Sequence, residues 1–259
     1  MTLVWRPDYN GTPGKVTLKK ESVAADPYYN NVSLLLHGDG ANGSTTIVDS
    51  SPSSKTATLV GDVQISTAQS QSGFGGSSIV FDKVDDRITY SSSDFAFGIG
   101  DFTVEAWIFS LDVSSASTRG WLQTSAATGA LQTSYNNGLA IFQGINANSS
   151  PVNGAICVGI GGSNLFGSAG PTAVLFANQW QHIAVTRSGS TCRAFVDGTE
   201  VGTRQNSSNL TGSNLVVGGY YSTSYLFDGY IHDLRITKGV ARYTSNFTPP
   251  TAPFPEVLG

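Results

Sequence analysis

The sequence predicts an all-β protein built as a sandwich of two antiparallel sheets, and three observations support this. The segment Asp101–Phe109 (DFTVEAWIF) alternates two sets of side chains with the period of two that indicates a β-strand. Bulky groups occupy both faces, which favours a strand covered on both sides. Only 12% of the 259 residues are charged, and Gly, Ser, Thr and Asn are abundant. Long helical patterns are missing, so many short strands joined by tight turns are expected.

One main domain with two extensions is expected from the length and the punctuation of the chain. Sandwiches often reach this length as one domain, and 39% apolar residues suffice for a sizeable core. Residues 1–26 are predicted to form an N-terminal arm that ends at Asp26-Pro27. The body then covers residues 27–248. Residues 249–259 are predicted to form an extended C-terminal tail, because the four prolines of NFTPPTAPFPEVLG exclude a central strand.

Short apolar or alternating runs predict the other strands of the body. They are Val32–His37, Ser77–Asp82, Arg87–Ser91, Trp121-Leu122, Leu139–Gln143, Ala155–Gly159, Gln179–Arg187, Thr191–Val196, Glu200–Arg204, Leu215–Gly219 and Gly229–Thr237. The turns Lys83–Asp86 and Asp197-Gly198 predict hairpins, and the second is the strongest local hairpin signal. In the arm, Lys15–Leu18 is a candidate short strand. A short helical turn is expected near Val240–Tyr243.

The charge of the chain argues against nucleic-acid binding, and its sequence shows neither a signal peptide nor a membrane span. The net charge of −4 and the pI of about 5.2 argue against a general nucleic-acid binder. The first 25 residues differ in sign, with four basic residues against two acidic ones. Such an arm either docks on an acidic partner surface or is a solvated tail. No signal peptide is expected from MTLVWRPDYNG, and no apolar run predicts a membrane span.

The chain has only two cysteines, Cys157 and Cys192, so no disulfide framework is expected to carry the fold. Both fall in predicted strands, where buried free thiols are expected. Whether they form a bridge does not follow from the sequence.

Several segments together carry a family resemblance. They are SLLLHGDG, FGGSSIVFD followed by DDRITY, GDFTVEAWI, QWQHIAVTRSGSTCRAFVDGTEV and GYIHDLRITKGVARYTSNFTPPTAPFP. In this order they resemble the laminin-G-like domains of the concanavalin A-like lectin/glucanase superfamily over about residues 32–255. The resemblance implies a jelly-roll sandwich. The last segment, with GVARY before FTPP, resembles versions found in tail and other virion proteins of bacteriophages.

The carboxylates do not predict an enzyme. Glycoside hydrolysis normally needs two carboxyl groups that flank one bond. The glucanase branch of the resembled superfamily places such acids on one strand face. Here Glu21 lies in the arm, Glu200 follows a hairpin turn, Glu256 lies in the tail and Glu105 is alone in its strand. An Asp pair remains as an alternative, although most of the fourteen Asp residues occur beside turn-forming residues.

The three histidines, His37, His182 and His232, show no spacing typical of a catalytic triad or a metal pair. His182 stands where the family pattern commonly has His, in a strand beside a core Trp, and a structural imidazole is the expected role. His232 stands where relatives often have Asp. This departure argues against any site that depends on that carboxylate.

No cofactor is expected, except that the resemblance implies a structural Ca²⁺. Laminin-G-like and related lectin folds often bind Ca²⁺ through Asp carboxylates and loop carbonyls. The candidate ligands are Asp39, Asp49, Asp82 and Asp233. Loops rich in Asp, Asn and Gly supply the six to eight oxygens that Ca²⁺ takes. Each of these Asp residues also has an ordinary role in a turn.

Sugar binding is the second functional hypothesis. The segment Tyr220–Phe227 (YYSTSYLF) places Tyr220, Tyr221 and Tyr225 among polar residues, between two glycines. Exposed aromatic rings with hydroxyl and amide groups around them are typical of carbohydrate sites. The alternative is that these rings pack under the loop or against a neighbouring subunit.

The first hypothesis is a non-enzymatic structural protein of a phage virion, either a capsid decoration or a tail or fibre component. Its arm would contact other virion proteins, and the sandwich would face outward on the virion surface. Such a protein is made in the host cytoplasm and is expected to be a homo-oligomer. A carbohydrate-binding module that adsorbs to host surface glycans is the alternative, and the two are compatible.

Overall fold

The computed structural model describes residues 3–8, 17–22, 25–114, 118–125, 137–144, 154–166, 175–220 and 222–258. In this part of the chain two short 3-10 helices, Tyr29–Asn31 and Ser93–Phe95, accompany nineteen strands. The strands are β1 (Leu3–Asp8), β2 (Thr17–Ser22), β3 (Val32–Leu36), β4 (Thr58–Val60), β5 (Gln64–Ser66), β6 (Ser78–Asp82), β7 (Arg87–Ser91), β8 (Phe102–Ser110), β9 (Arg119–Ser125), β10 (Leu139–Gln143), β11 (Ile156–Ile160), β12 (Ser163–Phe166), β13 (Trp180–Ser188), β14 (Thr191–Val196), β15 (Thr199–Gln205), β16 (Asn214–Val217), β17 (Gly219–Tyr220), β18 (Ser222–Leu226) and β19 (Asp228–Lys238).

Two antiparallel sheets form the body. One has the order β12-β11-β10-β9-β16-β7-β4, and the other has the order β15-β14-β13-β8-β19-β6-β5, with β3 also paired to β19. One large apolar core lies between them. Phe81 and Val104 enter it from the eight-stranded sheet, and Trp121, Ile141 and Leu215 enter it from the seven-stranded sheet. The predicted all-β sandwich is therefore confirmed.

Strand β8 is buried along its whole length, as its sequence predicts. Phe102, Val104 and Ile108 point into the core between the sheets. Glu105, on the opposite face, is also buried at 1% exposure. That face is covered by the chain after β19, where the Tyr243 hydroxyl donates a hydrogen bond to Glu105. The strand is thus covered on one side by the second sheet and on the other by a C-terminal segment.

The tail is extended and lies on the body, as predicted. The Phe254 ring is 4% exposed and packs with Val32 and Leu35, while the Arg235 guanidinium lies 3.6 Å from its centroid. The backbone amide of Asp26 donates to the carbonyl of Val257 at 2.9 Å. In the arm, β1 pairs antiparallel with β2 (Thr17–Ser22). β2 includes the last two residues of the predicted strand Lys15–Leu18, and the first two lie outside the described residues. The domain boundaries stay a prediction.

Other local predictions differ from the structure. The hairpin predicted at Lys83–Asp86 is wrong, because β6 and β7 on either side of this turn belong to different sheets. No helical turn forms at Val240–Tyr243, because Arg242 and Tyr243 reach buried acids from an irregular segment. The three-residue strands β4 and β5 escape a search for alternating runs. The YYSTSYLF segment contains the hairpin β17–β18 rather than a simple loop. Both cysteines are buried and unpaired, as predicted. Among the described residues no helix has the length and apolar character needed to cross a bilayer.

Candidate functional site

A polar cleft of about 210 Å³ opens where β3 ends. His37, Gly38 and Asp39 follow directly after this strand, and Glu256 reaches the same cleft from the tail. The loop before β4 adds Ser50 together with the apolar side chains Ile47 and Val48, and Ile65 of β5 completes the apolar wall. Residues between 37 and 65 therefore meet Glu256 of the distant C-terminal tail at this point.

His37 lies between two carboxylates. Its Nδ1 donates to Asp233 Oδ1 at 2.5 Å, and its Nε2 lies 3.0 Å from Glu256 Oε1. Burial by itself lowers the pKa of His37. The hydrogen bond and the negative charge of Asp233, with the charge of Glu256, outweigh burial and raise this pKa above its usual value. The cationic form of His37 is thus favoured.

Asp233 joins the cleft to the tail. The pairing of β19 with β8 is interrupted between His232 and Arg235, and Asp233 adopts a left-handed φ of 51° at this irregularity. Its carboxylate, which is fully buried, accepts a hydrogen bond from the Phe254 amide at 2.8 Å besides the one from His37. Burial raises the pKa of Asp233, and His37 partly offsets that rise. The left-handed backbone at Asp233 therefore places its carboxylate beside His37, at the end of β3.

His232 forms the rear of the same region. It is fully buried, with the Phe74 and Trp180 rings edge-on to it. Burial, together with the nearby charge of His37, lowers the pKa of His232 to about 4, so this imidazole is neutral at pH 7. Its Nε2 lies 3.8 Å from Asp39 Oδ1, and neither ring nitrogen has a hydrogen-bond partner. The side chain of Asp39 is 48% exposed and faces the cleft.

The cleft can bind a small solute that carries both hydroxyl groups and an apolar face. The exposed carboxylates of Asp39 and Glu256 accept hydrogen bonds, and charged acceptors form the stronger ones. Val48, which is 60% exposed, offers apolar surface beside them. A few placed polar groups on an apolar wall are typical of small-molecule sites.

Glu105 lies outside the cleft and belongs to a buried ionic network. Arg235 donates to Glu105 Oε1 at 2.8 Å and to Asp26 Oδ2 at 3.1 Å, and Arg242 holds both oxygens of Asp26. Burial raises the pKa of Glu105, but the charge of Arg235, the His182 imidazole 3.5 Å away and the hydrogen bond from Tyr243 lower it to about 2. Glu105 therefore stays ionised at neutral pH.

His182 is buried as the sequence predicts for a structural imidazole, but neither of its ring nitrogens has a hydrogen-bond partner among the described residues. It is fully buried, and the rings of Trp107 and Phe247 contact it edge-on.

Glu200 pairs with Arg193 at 3.5 Å on the surface. The side chain of Glu21 lies outside the described residues.

The predicted tyrosine platform lies elsewhere, against the seven-stranded sheet. The half-buried ring of Tyr225 packs on Ala140, Phe142 and Cys157. Tyr221 and the side chain of Tyr220 lie outside the described residues. The contacts of Tyr225 are those of a ring packed under the hairpin β17–β18. Sugar binding by these three residues remains a prediction.

The four Asp residues that the resemblance implies as Ca²⁺ ligands do not form one group among the described residues. Asp39 and Asp233 belong to the cleft region. Asp49 is buried and accepts hydrogen bonds from the amides of Leu35, Ser51 and Lys55. Its oxygens are thus used to hold a loop. Of the four predicted ligands, only Asp82 lies in a described cluster of acidic side chains, and the other members of that cluster were not predicted as ligands.

The sequence analysis singles out the charged residues of the cleft and His37, but it does not predict that they lie together. His37 and Asp233 are 196 positions apart, and Glu256 was expected only in an extended tail. The HGDG sequence after a buried strand was the one local signal for an exposed polar turn. Ser50 and Val48 carried no signal.

A lectin-like β-sandwich is the class of protein that this fold defines. The family model described as the concanavalin A-like lectin/glucanases superfamily matches residues 82–242, more than half of the chain. The chain therefore belongs to the concanavalin A-like lectin/glucanases superfamily. No curated protein matches its sequence significantly.

Solved structures share this fold at low sequence identity. Domain 4 of AbnA, a GH43 extracellular arabinanase from Geobacillus stearothermophilus solved with arabinotriose, is 14% identical with a TM-score of 0.57, covering 82% of this chain and 94% of that one. A structure of botulinum neurotoxin type C, which depends on interaction with two ganglioside molecules to enter cells, is 13% identical with a TM-score of 0.54. The match covers 82% of this chain and 49% of that one, so the chain spans about half of the toxin structure.

Proposed function

We propose that the protein is a non-enzymatic glycan-binding sandwich carried as a structural component of a bacteriophage virion. The observation that supports glycan binding best is the cleft beside His37. It brings two exposed carboxylates, Asp39 and Glu256, next to an apolar wall. Sugars present hydroxyl groups and apolar ring faces together, so they match such a surface.

The solved relatives add to this proposal. The arabinanase domain was solved with arabinotriose, and the toxin interacts with gangliosides. Both ligands contain sugars. We extend only the ligand class to this chain, because the identities of 13–14% carry the fold and not a particular site.

The residues around the cleft favour binding over catalysis. Both nitrogens of His37 face carboxylates, and neither faces a serine or cysteine of the described chain. Glu105, the acid on the central strand, is buried and ionised in its network with Arg235. It therefore cannot deliver a proton to a bound sugar at neutral pH.

A glycoside hydrolase is the second candidate, because Asp39 and Glu256 line the same cleft. Paired carboxyl groups are the usual catalytic groups of such enzymes. Incubating each bound glycan with the protein and separating the products tests this. We expect no cleavage. Cleavage that is lost in Glu256→Gln would establish the hydrolase instead.

The virion role is supported by the end of the chain and by the arm. The GVARY and FTPP segments resemble those of phage tail and virion proteins, and the C-terminal tail that follows them packs against the body through Phe254. The basic arm forms the separate hairpin β1–β2, which suits attachment to other virion proteins. We propose a homo-oligomer on the virion surface.

A glycan array tests the binding proposal. We expect the intact protein to bind a restricted set of host surface glycans, and Asp39→Asn to weaken that binding about tenfold through loss of charged hydrogen bonds. The matched control is Asp101→Asn, which removes an equal charge outside the cleft and keeps an acceptor for Gly189. Loss of binding in Tyr221→Ala and Tyr225→Ala, with Asp39→Asn unchanged, would move the site to the hairpin β17–β18. No binding by the intact protein would leave only the structural role.

A further inference from the structure

Four carboxylates converge at the rim of the sandwich, away from the cleft. Asp62 lies in the turn between β4 and β5, and Asp82, Asp85 and Asp86 lie at the turn between β6 and β7. One oxygen from each lies within 4.8 Å of every other one. Both turns carry the chain from one sheet to the other, which brings residues about twenty positions apart together.

One of the two carboxylate oxygens of Asp86 lacks a hydrogen-bond partner. Asp86 is 1% exposed, and its Oδ2 accepts a hydrogen bond from the Asp82 amide at 3.0 Å. Its Oδ1 is buried and has no hydrogen-bond partner. A buried carboxylate oxygen without a partner is costly, so a native structure normally satisfies it.

The backbone leaves space for the inward oxygens at Gly61. Gly61 has a φ of 78°, and a Cβ placed on it would lie 2.5 Å from both Asp85 Oδ1 and Asp86 Oδ1. These two oxygens therefore crowd the same point beside the glycine. A side chain at position 61 would displace them. The absence of a side chain at Gly61 therefore leaves space for the two carboxylate oxygens.

No described cation neutralises the four carboxylates. Lys83, in the same turn, directs its ammonium to Asp112 and Asp228 at 3.7 and 3.6 Å. Arg87 donates to the backbone carbonyl of Asp85 rather than to a carboxylate. Burial is the main cause that raises the pKa of Asp86 to about 6, and the negative charges of Asp82 and Asp62 contribute to the same rise.

We propose that Asp62, Asp82, Asp85 and Asp86 bind a Ca²⁺ ion that joins the two crossover turns. Oxygens about 2.4 Å from one ion lie at most about 4.8 Å apart. The four oxygens of this cluster all lie within 4.8 Å of one another, so one ion can contact them all. Three of the four acids are exposed, so water and loop carbonyls can fill the remaining positions of a six- to eight-coordinate ion. Hard oxygen ligands favour Ca²⁺ over softer metals.

Calorimetry with CaCl₂ on the full chain, stripped beforehand with a chelator, tests the site. We expect one binding event with a Kd of about 1 mM or tighter, and Mg²⁺ to bind at least about tenfold more weakly. The exposed ligand variants Asp62→Asn and Asp85→Asn should lose about tenfold in Ca²⁺ affinity. The matched control, Asp101→Asn, should bind as the wild type does.

Thermal unfolding gives a second readout. If the four acids had only a structural role, CaCl₂ would not change the order of the melting temperatures. In chelator, Asp85→Asn should melt above the wild type, since it relieves repulsion between like charges. In about 5 mM CaCl₂ the order should reverse, because the wild type alone gains the ion. Absence of both heat and a melting shift in the wild type would overturn the proposal. So would equal Ca²⁺ affinity in the wild type and the two variants, or tighter binding of Mg²⁺.

Discussion

Glu105 and Asp233 are both buried carboxylates, and their pKa values are shifted in opposite directions because their neighbours offset burial to different extents. Glu105 contacts Arg235 and the Tyr243 hydroxyl, so its pKa falls to about 2. Among the described residues, the Asp233 carboxylate accepts hydrogen bonds from His37 and the Phe254 amide, and burial raises its pKa despite these contacts. Glu105 is therefore a fixed negative charge that neutralises buried arginines. Asp233 instead accepts a hydrogen bond from the His37 imidazole, which lines the cleft.

Glu105→Gln should destabilise the protein by about 3–5 kcal/mol, because it leaves the buried guanidinium of Arg235 without its charged partner. Urea unfolding measures the change. The matched control is Glu200→Gln, which breaks a surface pair with Arg193 and should cost about 1 kcal/mol or less. Equal unfolding free energies for the two variants would contradict the structural role of Glu105.

Acid should weaken the fold through the same group. The pKa of Glu105 is about 2 in the folded protein against 4.5 for a free side chain, so its contribution is complete above pH 4.5 and is lost as pH falls towards 2. The contribution is about 3 kcal/mol. Urea midpoints recorded from pH 7 to pH 3 should therefore fall more steeply for the wild type than for Glu105→Gln. Parallel curves would show that this carboxylate does not titrate as described.

The role of Glu105 was predictable only in part. Its place in a fully covered strand follows from the period of DFTVEAWIF. Its partners Arg235 and Tyr243 are 130 and 138 positions away, and no local pattern ties them together. The sequence therefore showed that Glu105 lacks a neighbouring acid, but not that it is ion-paired.

The C-terminal tail acts as an element of the body even though it contains no strand. Phe254 packs with Val32 and Leu35, and its amide is held by Asp233. Glu256, two residues further on, then reaches His37 in the cleft. Packing of the tail thus positions one wall of the proposed binding site.

Phe254→Ala should destabilise the protein by about 3 kcal/mol and weaken glycan binding as well, because the segment that carries Glu256 loses its buried contact. Urea unfolding and the glycan array measure the two effects. Leu258→Ala is the control, since Leu258 is 47% exposed and its loss should change neither property. Glycan binding that survives Phe254→Ala would show that the tail does not shape the site.

The basic arm should be dispensable for folding and necessary for attachment. Deletion of residues 1–24 leaves Asp26 in place, which holds Arg235 and Arg242. We expect the truncated protein to keep its melting temperature and to lose incorporation into particles. Full incorporation would rule out anchoring by the arm.

Strand predictions succeed where a local pattern decides the structure. Asp197-Gly198 joins β14 to β15, and Leu139–Gln143 is a strand with the predicted limits. They fail where tertiary contacts decide: β4 has three residues, and it is held mainly by its pairing with β7. The segment at Val240–Tyr243 is irregular because its side chains serve buried acids. Those acids are contributed by distant elements.

At the scale of the whole molecule, the sandwich carries its two proposed sites at separate places. The cleft lies where β3, β5 and the tail meet, and the acidic cluster lies at the two crossover turns. No residue belongs to both sites. Glycan binding and Ca²⁺ binding can therefore fail or succeed independently, and each has its own variants.

The position of the bound sugar decides between the cleft and the tyrosine hairpin. A glycan selected on the array is titrated into isotope-labelled protein, and backbone amide shifts are followed by NMR. We expect the largest shifts at His37–Asp39 and at Glu256, with no cleavage products in the sample. Shifts confined to Gly219–Leu226, or conversion of the glycan to smaller sugars, would contradict a binding site in the cleft of a non-enzymatic protein.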